Sequence, residues 1–114
     1  MKRGTIVLTP FPFTDLKTIK RRPALIVSND DLKTGDVIAA FISSQTANIS
    51  PQTDYILEET DSNFKNTGLK VTSVFKMNKL LTIEKNLLIG ELGFISYDLM
   101  KILDGKLKLS LDIE

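Results

Sequence analysis

The chain contains neither cysteine nor histidine, and these two absences exclude several classes of functional site. Without cysteine there can be no disulfide, no thiolate nucleophile and no zinc–thiolate site. Without histidine the chain lacks the commonest metal ligand and the side chain best suited to acid–base catalysis near neutral pH. Any catalysis must therefore use arginine, lysine, carboxylates, hydroxyls or amides.

Long apolar runs and a strong excess of one charge are also missing. No apolar stretch is long enough to span a bilayer, and no secretory apolar segment follows the first residues, so we predict a cytoplasmic protein with no membrane partner. The formal net charge is only +1, which gives no global attraction to nucleic acid. A binding site for a polyanion would have to be local. The length of 114 residues predicts one domain, residues 1–114.

The chain does contain many short apolar segments separated by turn residues, a pattern typical of a mainly β protein. The predicted strands are residues 5–8, 22–28, 36–43, 54–58, 71–77 and 80–83, with a short strand or turn within 87–93. The strands at 22–28 and 36–43 are nearly all apolar, which predicts burial on both faces.

The C-terminal segment has a helical pattern instead. Ser96 is a suitable N-cap, and Asp98 in the first turn complements the helix dipole. One apolar helix face is predicted by three- and four-residue spacing of Leu99, Ile102, Leu103 and Leu107. Gly105 is expected to weaken this helix or end it early. Many short strands and one terminal helix predict a small, strongly curved β-barrel with a C-terminal α-helix.

Three consecutive cations, Lys20, Arg21 and Arg22, precede the strand at 22–28. Pro23 cannot donate to a sheet ladder and therefore belongs at the first position of a strand or on an edge. The basic triplet is thus expected where a loop meets a rigid strand, which suits cations that hold an anion in one geometry. A solvated basic turn is the alternative interpretation.

Four stretches carry a resemblance to a known family: 4–15 (GTIVLTPFPFTD), 20–28 (KRRPALIVS), 36–45 (DVIAAFISSQ) and 73–85 (SVFKMNKLLTIEK). In order and spacing they resemble the MazF/PemK group of bacterial toxins, the endoribonucleases (mRNA interferases) of type II toxin–antitoxin modules. The FPFTD segment followed by KRRP is the specific part. The resemblance implies an SH3-like β-barrel, a homodimer, a cognate antitoxin with which the toxin binds DNA, and cleavage of single-stranded RNA without metal or cofactor.

The family mechanism implies attack by the 2′-hydroxyl of the RNA on the adjacent phosphate, which leaves a cyclic phosphate and a 5′-hydroxyl. The family's arginine at the loop-to-strand junction matches Arg22, whose planar fork can hold two phosphate oxygens. Alternatively, Arg22 pairs with an acidic neighbour.

The family's hydroxyl after the third strand matches Ser43, although a serine at a strand end can simply form a hydrogen bond. Strand alternation predicts that only one of Ser43 and Ser44 reaches the Arg22 side.

The stretch 73–85 departs from the family pattern at two positions. Lys76 and Asn78 stand where some members have an arginine and an aspartate that act as acid and base. Lys76 keeps the charge, and we predict a catalytic role for it, with a solvated strand lysine as the alternative. Asn78 cannot act as a base. The alternative therefore remains that the chain is a non-catalytic module of the same fold, which binds RNA or a protein.

The remaining predicted residues contact RNA, and no metal site or cofactor is predicted. The RNA-binding set is Asp15, Lys17, Lys20, Arg21, Gln45 and Asn78. Asp15 is the carboxylate nearest to the basic triplet in sequence, and it would either orient Arg22 or act as a weak base.

Overall fold

The computed structural model describes residues 2–11 and 20–114, which contain six β-strands and two α-helices. The strands are β1 (Thr5–Phe11), β2 (Lys20–Ile26), β3 (Asp36–Ser43), β4 (Asp54–Leu57), β5 (Ser73–Glu84) and β6 (Gly90–Phe94). Helix α1 (Phe64–Thr67) is a single turn, and helix α2 (Tyr97–Leu111) follows β6. Short 3-10 segments occur at Asp30–Leu32 and Lys85–Leu87. None of the described helices is long and apolar enough to cross a membrane.

The strands form one antiparallel sheet in the order β4-β5-β3-β2-β1-β6. Strands β4 and β6 are its edges, and in the described part of the chain the sheet curls into a half-barrel. The prediction of a mainly β fold with a curved sheet and a C-terminal helix is confirmed.

Both faces of the central strands are buried, as the apolar runs predict. One apolar cluster lies between the sheet and α2 and contains Ile6, Leu25, Ile42, Phe75, Met77, Leu99, Met100 and Leu103, among others. A second cluster on the other face contains Val7, Ala24, Ile26, Val37, Ala39, Phe41 and Ile83. Consecutive residues of β1 and β2 alternate between the two clusters, as pleated strands require. The sheet is therefore a rigid support for whatever projects from its ends.

Strand β5 joins two segments that the sequence predicts as separate strands, and that prediction was wrong. Ala40 and Phe41 are adjacent on β3, but their partners on β5 are Leu80 and Lys76. The residues of β5 that lie between Lys76 and Leu80 have no opposite residue on β3, so they form a bulge. In the sequence, polar residues interrupt an apolar run at a bulge just as they do at a turn. The sequence pattern therefore could not distinguish one bulged strand from two strands joined by a turn.

Helix α2 begins as predicted, because the Ser96 hydroxyl oxygen accepts a hydrogen bond from the backbone N–H of Leu99 at 3.1 Å. Leu99 and Leu103 are buried against the sheet, and Leu107 packs against the same cluster. Ile102, which the spacing placed on the apolar face, is 50% exposed, so its assignment to that face was wrong.

The helix continues through Gly105 to Leu111, so an early end at the glycine does not occur. Glycine inside a helix costs about 1 kcal/mol relative to alanine. Burial of the leucine face outweighs this cost, because tertiary packing supplies most of a helix's stability in a protein. The helix is also joined to the sheet by an ion pair between Arg3 and Asp104.

Candidate active site: a cationic cavity

A cavity of about 490 Å³ opens where β2 begins and β3 ends. Four cationic side chains contribute to its wall: Arg22, Lys70, Lys76 and Lys79. Ser43, Ser44 and Gln45 supply neutral polar groups. No carboxylate lies among the described lining residues, so positive charge is concentrated here although the chain as a whole carries +1. Such a cavity favours a polyanionic ligand.

The strand register explains why Arg22 and Ser43 meet. Ala24 of β2 pairs with Phe41 of β3. Continuing this antiparallel register by two residues places Arg22 opposite Ser43. Pro23, the residue between, has no N–H with which to extend the ladder. The sheet therefore brings together the arginine and the hydroxyl that the sequence resemblance pairs.

Arg22 is exposed and lines the cavity, and it makes no ion pair with any other described residue. The alternative interpretation was that Arg22 pairs with an acidic neighbour, but no acidic residue in ranges 2–11 and 20–114 pairs with it. Asp15 and Lys17, both predicted to contact RNA, lie outside the described residues. The guanidinium is therefore open to a ligand within the part of the cavity wall that the structure describes.

The Ser43 hydroxyl oxygen accepts a hydrogen bond from the backbone N–H of Gln45 at 3.0 Å. Its own proton stays available for donation, since a hydroxyl is both an acceptor and a donor. Ser44 also lines the cavity, and the prediction that only one of the two serines reaches the Arg22 side with its hydroxyl stays a prediction. Strand β3 ends at Ser43 and the chain bends at Ser44, so alternation no longer applies there.

Lys76 is not a solvated strand lysine. Its Nζ donates to Oδ2 of Asp54 at 3.1 Å, and the two side chains are only 17% and 3% exposed. Lys76 lines the cavity, whereas Asp54 does not. The carboxylate therefore lies behind the lysine, on the side away from the cavity.

Asn78 lies in the β5 bulge, is exposed, and does not contribute to the cavity wall. Lys20 and Arg21 are exposed on β2 and also lie outside the wall. Of the described residues predicted to contact RNA, only Gln45 lines the cavity itself.

Sequence reasoning missed Lys70 and Lys79, which the structure brings to the cavity. Lys79 follows Asn78 in the bulge and lay within a stretch that carried the family resemblance. The approach of the Lys70 segment depends on Gly68, which has φ 73° and lies so close to β6 that a Cβ would be 2.1 Å from the carbonyl oxygen of Leu92. Only glycine fits there, so the turn signal around Gly68 was the available clue.

In the described ranges, no group of three or more acidic side chains is arranged to hold a metal ion. The lining offers instead cations, hydroxyls and an amide. Together these groups can bind a phosphate, donate hydrogen bonds to it and neutralise charge that develops on it.

Several solved structures share this fold. An endoribonuclease in complex with its cognate antitoxin from a mycobacterial species is 22% identical, with a TM-score of 0.77 and coverage of 100% of this chain and 97% of that one. The Mycobacterium tuberculosis toxin MazF-mt6 is 18% identical, with a TM-score of 0.75 and coverage of 96% and 98%. A MazE–MazF structure from Deinococcus radiodurans is 19% identical, with a TM-score of 0.73 and coverage of 100% and 98%.

No curated protein gives a sequence match to the chain. A family model described as "PemK-like, MazF-like toxin of type II toxin-antitoxin system" matches residues 2–111. Since this match covers nearly the whole chain, the protein belongs to the PemK-like, MazF-like toxin family of type II toxin–antitoxin systems.

Proposed function

We propose that the protein is a sequence-specific endoribonuclease that cleaves single-stranded mRNA without a metal ion. The observation that carries this proposal is the cavity in which Arg22, Ser43 and Lys76 share one wall. Single-stranded RNA supplies the polyanion that a cationic cavity binds, and its unstacked bases can be read individually. Family membership and the solved structure of an endoribonuclease with the same fold support the proposal.

In the proposed reaction the 2′-hydroxyl oxygen attacks the adjacent phosphorus and the bond from phosphorus to the 5′ oxygen breaks. The products are a cyclic phosphate and a 5′-hydroxyl, and one proton leaves the 2′ oxygen while another joins the 5′ oxygen. Arg22 holds two non-bridging oxygens and stabilises the charge that grows on them. The Ser43 hydroxyl donates to the same phosphate, with its orientation restrained by the N–H of Gln45.

Lys76 completes the phosphate site as a fixed cation, and its ammonium group or a water molecule supplies the proton that joins the 5′ oxygen. The described lining has no carboxylate, so the 2′-hydroxyl proton goes to water or to a side chain outside the described residues, of which Asp15 is the predicted one. Stabilisation of phosphate charge is therefore expected to supply most of the rate enhancement. Flanking nucleotides contact the rest of the predicted set: Lys17, Lys20, Arg21, Gln45 and Asn78.

The test is incubation with RNA of mixed sequence in the presence of EDTA, followed by mapping of the product ends. We expect cleavage at a restricted set of sequences, with cyclic-phosphate and 5′-hydroxyl ends. Activity that requires added magnesium would contradict the mechanism.

A second function is favoured by one observation: Asn78 lies off the cavity, and no described carboxylate replaces the missing base. On this alternative the protein binds RNA or a partner protein without cutting. RNA binding with no cleavage at high protein concentration, while a variant such as Arg22→Ala loses binding, would select this function over the first.

The proposed assembly is a cytoplasmic homodimer that a cognate antitoxin neutralises, with DNA binding by the toxin–antitoxin complex. Structures described as an endoribonuclease with its cognate antitoxin, and as MazE with MazF, support an antitoxin partner. A dimer would bring two cationic cavities to one strand of RNA and double the local charge. Sedimentation tests the dimer, and competition between an RNA oligonucleotide and an acidic antitoxin segment tests whether they share the cavity.

A further inference from the structure

The ion pair between Lys76 and Asp54 differs from ordinary surface pairs because the carboxylate is almost completely buried. Asp54 is 3% exposed in its side chain, and a buried charge is tolerated only when it is paired and hydrogen-bonded. Oδ2 of Asp54 accepts two hydrogen bonds, one from Lys76 Nζ at 3.1 Å and one from the backbone N–H of Ser50 at 3.0 Å. Oδ2 is therefore satisfied without a ligand.

The backbone around Asp54 holds the carboxylate in place. Asp54 of β4 lies directly opposite Lys76 of β5 in the antiparallel register. Its own N–H donates to the carbonyl oxygen of Ser50 at 2.8 Å, which closes the turn before the strand. Both the main chain and the side chain of Asp54 are thus tied to fixed neighbours, so this carboxylate is a rigid acceptor for a flexible lysine.

An ammonium group has three N–H donors, and within the described residues only Asp54 receives one from Lys76. The others remain for an anion in the cavity. Lys70 and Lys79 line the same cavity but are exposed and form no ion pair with any described residue. Of these three lysines, Lys76 is thus the one that a protein partner holds in a defined position.

We propose that Asp54 is a positioning residue that fixes the Lys76 ammonium in the cavity wall, so that Lys76 meets the reacting phosphate without reorganisation. This inference rests on the proposed cleavage of RNA. A cation fixed in advance stabilises developing charge better than one on a mobile stem, which must first be ordered. Asp54 acts only through Lys76, since it does not itself reach the cavity.

The experiment is a double-mutant cycle of Asp54→Asn and Lys76→Gln, read as kcat and KM for RNA cleavage. Asp54→Asn should lower kcat about tenfold with little change in KM, because binding of the polyanion persists while the geometry of one cation is lost. In the Lys76→Gln background the same substitution should have no further effect on kcat. An equal loss of kcat in both backgrounds would overturn the proposal.

Asp104→Asn is the matched control, because it removes the carboxylate of the other ion pair in the described chain, that with Arg3. It changes the same chemical group at the helix–sheet junction, away from the cavity. We expect its kcat to equal that of the wild type at temperatures where both are folded. A tenfold loss of kcat in Asp104→Asn as well would mean that removing any ion pair lowers kcat by destabilising the fold. The proposal would then fail.

A measurement independent of catalysis is the NMR signal of the Lys76 ammonium, assigned by its absence in Lys76→Gln. Wild-type protein should show slow proton exchange at this group and a shift on addition of a single-stranded 2′-deoxy oligonucleotide, which cannot be cleaved. A rapidly exchanging signal that does not respond to the oligonucleotide would overturn the proposal, even if Asp54→Asn does not fold. If the wild type cleaves no RNA, the proposed function fails, and this signal still decides whether the Lys76 ammonium is held in a fixed position at the cavity.

Discussion

One of the two described ion pairs, Lys76–Asp54, lies at the cavity. The other, Arg3–Asp104, lies at the helix–sheet junction, where α2 packs on the sheet. The surroundings of the two pairs differ. Arg3 and Asp104 are 38% and 32% exposed, and Arg3 also donates from Nε to the carbonyl oxygen of Val27 at 2.7 Å. Lys76 and Asp54 are far more buried and lie beside cations that form no ion pair with any residue in ranges 2–11 and 20–114. At the junction the described arginine and carboxylate pair with each other beside an apolar cluster, whereas three cations of the described cavity lining pair with no described residue.

This difference indicates separate roles. An exposed pair with good geometry adds up to about 1 kcal/mol to stability. A buried pair often contributes little net stability, because desolvation offsets the attraction. The junction is thus expected to govern folding and the cavity to govern rate. Each substitution below tests whether the two regions can be separated in this way.

The largest effect is expected from Leu103→Ala at the junction. Leu103 is fully buried between α2 and the sheet, so truncation should lower the free energy of unfolding by about 3 to 4 kcal/mol through lost burial and a residual cavity. Denaturant unfolding measures the change. Ile102→Ala is the control on the same helix and should cost well under 1 kcal/mol, because Ile102 is half exposed. Similar losses for both variants would mean that α2 packs differently from the structure.

The next effect concerns the cavity. Arg22→Ala should lower the cleavage rate roughly a hundredfold, on the order of 3 kcal/mol, because a bidentate phosphate contact strengthens in the transition state. Its free energy of unfolding should change little, since Arg22 is exposed. Arg21→Ala is the control: it removes the adjacent exposed cation, which does not line the cavity, and its smaller loss should shrink as salt increases. Equal losses of cleavage rate in the two variants would contradict the catalytic role of Arg22 and indicate that it only adds charge to a basic patch.

These two regions also differ in how far the sequence predicts them. Strand β3 was predicted over its full range, 36–43, since turn-rich segments bound its apolar run on both sides. The helix start and the buried positions Leu99 and Leu103 followed from capping and periodicity, which are local signals. Arg22 and Ser43 came from the family resemblance, and the register then brought them to one cavity.

The parts that were missed depend on contacts between distant segments. Asp54 and Lys76 are 22 residues apart, and their pairing follows from the register of β4 on β5, which a single sequence does not specify. Lys79 reaches the cavity because β5 bulges, and Lys70 because Gly68 lets its turn approach β6. A pattern of apolar and polar residues gives no signal for the ion pair or for Lys79, and for Lys70 the turn signal around Gly68 was the only clue.

A smaller effect is expected at the start of α2. Ser96→Ala removes the side-chain acceptor of the Leu99 N–H and should lower the free energy of unfolding by about 1 kcal/mol. Ser110→Ala on the same helix is the matched control, because the Ser110 hydroxyl donates to the carbonyl oxygen of Lys106 one turn earlier. Such back-bonding does not stabilise a helix, so this variant should be neutral or slightly more stable. Thermal unfolding compares them, and equal destabilisation would contradict the capping role.

The smallest effect is expected from Asp104→Asn, which removes the exposed ion pair at the junction. Arg3 keeps its hydrogen bond to Val27, so the loss should stay below about 1 kcal/mol and should decrease as salt screens the pair. Unfolding at low and high ionic strength measures both features. A loss of several kcal/mol that persists at high salt would show that Asp104 fixes α2 as rigidly as Asp54 is expected to fix Lys76. The contrast between a stabilising exposed pair and a positioning buried pair would then no longer hold.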